Sequence, residues 1–308
     1  MKKILATILF SGLFFVIPSS AILNTDYVYS PRIIAMGGAG VAAVDDEDAV
    51  FLNPAGLCNA NNGIIGSYGA TQGDVSQYYY AGDINLKELG GIGFGYNKIG
   101  VYGIPDPATG NLIPGGTFDF YSDDLTISYG HQINNWFSLG ANVHRISNVF
   151  SSPNPSLESG SGYGQGVGIG FQFNLFQNIS IGGLINDIYK TDFVWNTNEK
   201  ETIPTSAAIG FAYRPISDKL LLALDFRKAN IERSGGVDTI MLGTEIGLPV
   251  KFRFGYQFNK DRSSENYSGS GSVGIGVNLF NKLLFDYALQ KSRDRFGDSQ
   301  YFSVRGMF

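Results

Sequence analysis

The 308-residue chain holds one cysteine, two histidines and two tryptophans. A lone thiol, Cys58, closes no internal disulfide, so the fold is held without covalent staples. One cysteine and two histidines, His131 and His144, are too few for a transition-metal site. Neither histidine sits in a Ser/His/Asp pattern, so the chain reads as a non-enzyme without cofactor. Basic residues are sparse: 22 Lys and Arg against 27 Asp and Glu give a net charge of -5 and no footprint for nucleic acid. Long apolar runs are missing too. The one such stretch, Ile4 to Ile17, follows Lys2-Lys3 and ends in Pro18-Ser19-Ser20-Ala21. It is shorter than the roughly 20 residues of a spanning helix and has the layout of a secretory signal cleaved after Ala21. Residues 1–21 are therefore expected to be a signal peptide and the mature chain to be exported.

What is present is glycine, 41 residues against 11 prolines, and aromatic surface, with 17 Tyr and 23 Phe. An exported chain of this composition without helical spans is most economically a transmembrane β-barrel. Such a barrel needs an even number of segments of about ten residues, apolar at every second position. Fourteen are found: 62–71, 75–85, 88–99, 122–133, 136–148, 163–175, 178–188, 204–214, 218–228, 238–248, 250–259, 269–280, 282–292 and 299–308. Successive side chains of a strand point to opposite faces. Leu220, Leu222, Leu224 and Phe226 therefore face lipid, and Leu221, Ala223, Asp225 and Arg227 face a lumen. Phe252, Phe254, Tyr256 and Phe258 repeat the pattern.

A soluble sandwich also alternates, and connection lengths discriminate better. Gly100 to Tyr121, Asn148 to Gly162 and Tyr189 to Ile203 are long, whereas Asn134-Asn135, Phe176-Gln177, Pro249 and Asn281 are tight turns. Long connections after odd strands and short ones after even strands suit extracellular loops and periplasmic turns. The last strand ends in Phe308, which resembles the signal by which the barrel-assembly machinery of the bacterial outer membrane recognises its clients. Outer-membrane lipid is the expected surroundings.

Residues 22–61 do not alternate. Asp45 or Asp46 is expected to cap a short helix through Leu52, ended by Pro54, with the four acids 45–48 as its solvated start. A calcium loop is disfavoured because spaced ligands and a glycine bend are missing. A phosphate cradle at Gly37, Gly38 and Gly40 lacks the preceding strand and the following Gly-Lys-Ser/Thr.

Met36-Gly37-Gly38-Ala39-Gly40-Val41-Ala42, then Asp45-Asp46, then Asn53-Pro54-Ala55-Gly56-Leu57, resembles the N-terminal signature of FadL-like outer-membrane transporters and their PorV/PorQ-type relatives. The Gly255-Tyr256 and Asp286-Tyr287-Ala288 neighbourhoods resemble the PorV/PorQ branch. The resemblance implies that residues 22–61 form a hatch plugging a barrel of residues 62–308. It further implies passive uptake of hydrophobic compounds such as long-chain fatty acids. The alternative it leaves open is a PorV/PorQ-like partner of secretion-system proteins of type IX. Asp225, Arg227, Glu245, Arg253, Asp286 and Arg305 are expected to form a polar network in the lumen that holds the hatch. Val101, Tyr102, Ile104, Leu112, Ile113, Phe118 and Phe120, with Val149, Phe150 and Leu157, are candidate residues of a hydrophobic loop groove.

Overall fold

A strand that is apolar on one side only must bury or grease that side, and a sheet in lipid must also close, because an open edge leaves backbone groups unpaired. The computed structural model describes residues 29–71, 75–104, 118–151, 159–231, 236–247, 250–262, 266–280, 282–291 and 297–308. The expected signal peptide, 1–21, and groove residues Leu112, Ile113 and Leu157 lie outside the described residues.

Fourteen antiparallel strands form the wall: β1 (Gly63–Thr71), β2 (Val75–Asn85), β3 (Gly91–Ile104), β4 (Phe118–Asn134), β5 (Phe137–Ser151), β6 (Gly160–Phe176), β7 (Ile179–Asn186), β10 (Ser206–Ile216), β11 (Leu220–Lys228), β12 (Val237–Ile246), β13 (Val250–Asp261), β14 (Tyr267–Leu279), β15 (Leu283–Gln290) and β16 (Ser299–Met307). β1 pairs with β16 from Gly63↔Met307 to Ala70↔Gln300, and this closes the cylinder. The fourteen-stranded expectation holds, and so does its parity. Leu222, Leu224, Phe226, Phe252, Phe254 and Phe258 are exposed, while Leu221, Ala223, Asp225 and Arg253 are buried.

Three departures from the expected boundaries have local causes. β3 starts at Gly91 rather than 88 because Lys87–Leu89 form a 3-10 turn ended by Gly90 at φ 92°. β3 to β6 run further than expected at the long-loop end, so Val101, Ile104, Phe118, Phe120, Val149 and Phe150 are strand residues and not loop residues. β7 stops at Asn186, and its connection carries a short hairpin, β8 (Thr191–Trp195) and β9 (Lys200–Ile203). β8 continues the line of β7 along β6, pairing Gly162↔Trp195 to Gly164↔Phe193. Between the two pairings Asp187 and Lys190 both take φ 55°, so the wall strand buckles there.

The N-terminal segment lies inside the ring. Helix α1 (Pro31–Ala35), helix α2 (Ala49–Leu52) and a 3-10 turn (Pro54–Asn59) pack on strands around the circumference and are almost wholly buried. Phe254, exposed on the outer face, tests whether that face meets lipid. Phe254→Arg is expected to cost about 2–4 kcal/mol in refolding from urea into phospholipid vesicles, as a cation near the bilayer midplane does. An unchanged midpoint would show that Phe254 meets water.

Candidate functional site: a seated N-terminal segment and an apolar cluster above it

Backbone inside a closed barrel needs partners for its polar groups and room for its atoms. The wall supplies room by presenting glycine wherever the segment comes closest. A Cβ on Gly130 or Gly140 would strike the carbonyl group of Pro54, one on Gly255 the peptide between Met36 and Gly37, and one on Gly243 the Met36 carbonyl oxygen at 2.7 Å. On the segment's side, Gly37 takes φ +69° and packs on the Tyr256 amide, where any Cβ would lie 2.6 Å from the nitrogen. Gly38 is at φ +90°, and a Cβ on Gly56 would run into the Val44 carbonyl.

Partners come from the wall too. Asp225 Oδ2 accepts the Gly40 and Val41 amides at 2.6 and 2.8 Å. The Ser272 hydroxyl accepts the Gly37 amide at 3.1 Å and donates to the Ala35 carbonyl at 3.2 Å. Asn53 spends its whole amide: Nδ2 donates to Val41 and Phe171 carbonyls at 2.8 and 3.0 Å, and Oδ1 accepts the Ala55 amide at 3.2 Å. Pro54, next in line, has no donor to satisfy. Pro54 and Ala55 are fully enclosed.

The four acids are not the solvated helix start expected from the sequence. Asp48, not Asp45 or Asp46, precedes α2, and its side chain does not cap that helix. Glu47 and Asp48 are 1% exposed, because the acids face arginines across the bore. Arg305 donates to Asp46, lies 3.0 Å from Glu47 and donates to Asp48 at 3.2 Å. Arg32 bridges Asp46 at 2.5 Å to Glu245 at 3.2 Å. Arg253 then joins Glu245 at 2.6 Å to Asp286 at 2.5 Å, and Lys251 reaches Glu245 at 3.1 Å. Asp45, half exposed, lies 3.5 Å from Arg214. Arg227 stacks over the Tyr29 ring with its centroid 5.5 Å away. All six lumen residues singled out in the sequence are buried; Glu245, Arg253, Asp286 and Arg305 share one network, while Asp225 and Arg227 act apart from it.

Sequence reasoning missed Arg32, Ser30, Tyr79 and Ser272. The signal for Arg32 was present, since it is the one basic residue of 22–61 and precedes four acids. Ser30 donates to Asp48 at 2.8 Å and Tyr79 does so at 2.9 Å, completing that carboxylate. Burial works against the charge of Asp46, but Arg305 and Arg32 outweigh it and hold the carboxyl down at about 2. Burial pushes Glu47 up to about 8 against the pull of Arg305. The two neighbours thus divide one guanidinium's attention, the first charged and the second protonated at neutral pH.

Nearer the long-loop end the lumen changes character. Gln77, Asn97, Asp124, Thr126 and His144 face inward above the segment. His144 Nε2 lies 3.0 Å from Asp187, and the Thr191 hydroxyl donates to that same carboxylate oxygen. That hydroxyl is spent on the carboxylate and not placed on the imidazole as an activated nucleophile would be. Among the described residues no group of His, Cys, Asp and Glu is arranged to hold a metal ion. Beyond this polar belt Ile146, Phe193, Trp195 and Ile203 form a buried apolar cluster with Phe150 packed on it. Phe120 meets Phe150 at 4.6 Å between ring centroids, and Phe150 meets Trp195 at 6.1 Å. The candidate groove residues therefore separate. Phe120 and Phe150 join the cluster, with Val101 paired to Phe120 in the next strand. Tyr102 and Val149 are exposed, and the side chains of Ile104 and Phe118 lie outside the described residues.

Two outcomes test the seating. Arg305→Gln removes the guanidinium from Asp48 and leaves Arg32 as the one cation on Asp46, and is expected to loosen the segment by about 3–5 kcal/mol, the cost of removing one partner of a buried pair. The buried sole thiol, Cys58, reports it, so maleimide labelling in vesicles should accelerate, and unchanged labelling would mean the ion pairs do not hold the segment. In the pH dependence the two carboxyls have opposite signs. Asp46, lowered from 3.8 to about 2, stabilises the seated form above about pH 4 and loses that contribution as pH falls toward 2. Glu47, raised from 4.5 to about 8, stabilises it in full below about pH 4 and loses that contribution as pH rises through 8. Hydrogen-exchange protection of residues 37–53, corrected for intrinsic rates, is expected to peak near pH 4–5; a flat profile would refute the assignment.

No protein-family model and no curated protein sequence matches this chain. Solved structures do. The Pseudomonas putida toluene transporter TodX superposes with a TM-score of 0.67 at 14% identity, covering 91% of this chain and 98% of its own. The CymD monoaromatic hydrocarbon channel gives 0.66 at 14% identity, covering 91% and 97%. A Pseudomonas aeruginosa FadL homologue gives 0.58 at 14% identity, covering 91% and 98%. The chain has the fourteen-stranded barrel fold of these FadL-type hydrophobic-compound transporters.

Proposed function

We propose that the protein is an outer-membrane channel for passive entry of small hydrophobic compounds, with residues 29–61 acting as its hatch. The observation that carries this reading is the inward-facing cluster of Phe120, Ile146, Phe150, Phe193 and Trp195. A lumen in contact with water has no reason to collect aromatic rings, whereas an apolar solute inserted among them would leave water at a gain of about 25 cal/mol per Å² of its own apolar area covered. TodX and CymD, which share the fold, are a toluene transporter and a monoaromatic hydrocarbon channel.

Long-chain fatty acids are the finer form of the same proposal, and the cluster favours hydrocarbons over them. The charged group beside it is an acid: Trp195 Nε1 donates to Glu201 at 3.2 Å. A carboxylate headgroup would be repelled there. Below the cluster, the polar belt and the seated hatch stop an aqueous leak, so a solute held at the mouth advances only when the hatch yields.

Trp136→Phe leaves Trp195 as the only indole, because the chain has two tryptophans. In vesicles, bromobenzene is expected to quench its emission saturably. Phe150→Ala should weaken that binding roughly two- to tenfold, the worth of an aromatic contact. Linear quenching at all concentrations would overturn the reading, and tighter competition by oleate than by toluene would restore the fatty-acid form of it.

A further inference from the structure

The outer wall has one feature that hydrophobic uptake does not use. Where β7 buckles, β6 loses its regular partner between Gly164, paired to Phe193, and Ile169, paired to Ile185. A single backbone bond, Ile188 amide to Val167 carbonyl at 3.2 Å, spans the gap. The buckle leaves a pocket of about 290 Å³ whose walls include Tyr163, Gln165, Tyr189, Thr191 and Asp192. Tyr163 and Tyr189 are exposed, so the pocket opens away from the lumen.

Its wall includes Lys190, and a second cation stands beside Tyr163 at its edge. Arg145, on the outward face of β5, pairs with Gln165 across the strands and holds its guanidinium 4.8 Å from the Tyr163 ring centroid. Among the described residues no carboxylate lies within ion-pair distance of it. Lys98, outward-facing on β3, shows the ordinary alternative: it rests over Tyr121 too, but Asp123 neutralises it at 3.9 Å.

Height places this cation about 5 Å below the upper edge of the apolar band, where a long basic side chain extends its charged end to the headgroups. Arg145 stands eight residues along β5 from Phe137, at the short-turn end. At about 3.3 Å per residue and a tilt near 40°, that is roughly 20 Å up a band about 25 Å tall. Below it the outward positions are apolar, with Val143 and Ile169 exposed. Gln165 is level with it, Tyr163 lies above, and the pocket spans that stretch.

We infer that this outer-wall pocket binds the phosphorylated sugar headgroup of a glycolipid in the outer leaflet, with Arg145 on the phosphate. A planar guanidinium offers two parallel N–H groups to a phosphate, and its partial stacking on Tyr163 fixes its orientation. The tyrosine hydroxyls, the Gln165 amide and the Asp192 carboxylate suit sugar hydroxyls, which both donate and accept. The acyl chains then lie along Val143, Val167 and Ile169 on the wall below. This inference rests on the outer-membrane orientation proposed above, but not on what the lumen carries.

Native mass spectrometry of the full mature chain in mild detergent, incubated with bis-phosphorylated lipid A, tests it. Wild type is expected to retain the lipid. Arg145→Gln should weaken retention about fivefold, the worth of one basic side chain near an anionic surface, and Arg145→Glu should weaken it further. Lys98→Gln should leave it unchanged. Heat-modifiable gel migration of each variant shows that a loss is not a lost barrel, and saturable bromobenzene quenching shows that the channel reading stands independently. Equal retention by Arg145→Glu and wild type, or equal retention of dephosphorylated lipid A, would overturn the inference. Inorganic phosphate competing as well as lipid A would also overturn it, by assigning the site to a free anion.

Discussion

The structure depends on one contact: the peptide backbone of residues 36–57 laid directly against the inner wall, with no side chain between. A fourteen-stranded cylinder is too wide for its own inward side chains to fill, so something must occupy the bore. Here it is extended chain and short helical turns, and the wall accommodates them with glycines at Gly130, Gly140, Gly243 and Gly255. Glycine weakens a strand by loss of packing and by entropy. The barrel tolerates this because its strands are paired on both edges and greased on the outside. Part of the high glycine content is then a geometric consequence of carrying backbone inside the barrel.

Close approach removes water from both surfaces, and that fixes the chemistry of the contact. Each amide pointed at the wall must find an acceptor: Gly40 and Val41 find Asp225, and Gly37 finds Ser272. The ion network does a different task. Buried pairs contribute little net stability against apolar packing, because desolvation offsets the attraction, but they penalise every wrong arrangement heavily. With Arg305 answering Asp46 and Asp48, and Arg32 answering Asp46 and Glu245, a segment slid by one residue would bury unpaired charges. The network therefore sets register, while the glycines and backbone bonds set closeness.

Much of this was legible in the sequence. Alternation at Leu220–Arg227 and Lys251–Phe258 required lumen and lipid faces, and the asymmetry of connection lengths required closure with both chain ends on one side. Asp225, Glu245, Arg253, Asp286 and Arg305 stood out as charges at lumen parity. What could not be read was their pairing. Arg305 and Asp46 meet across 259 positions, and no local rule connects them. The acids 45–48 looked solvated because acidic runs normally are, and only the enclosing barrel reverses that. The buckle of β7 was hidden for a related reason. Asn186-Asp187 is a turn-favouring pair set within an apolar strand pattern, and Asp187 leaves the strand line because His144, Thr191 and the Thr205 hydroxyl, 2.7 Å from its carbonyl, capture it.

The vertical order inside the lumen carries the last step. From the short-turn end upward come the seated segment, a polar belt and the apolar cluster. An apolar solute entering from outside gains free energy in the cluster and would lose it in the belt, where Gln77 and Asn97 bond to each other at 2.9 Å and would have to be uncovered. The order is thus the reverse of a smooth apolar conduit. In the proposed channel this order would retain apolar solutes at the mouth and make onward movement depend on rearrangement of the segment below. The electrostatic hold on the segment is reciprocal: Arg305 of the wall answers Asp46 and Asp48 of the segment, and Arg32 of the segment answers Glu245 of the wall. Lifting the segment would strand charges on both surfaces, so in the proposed channel reseating is driven from both.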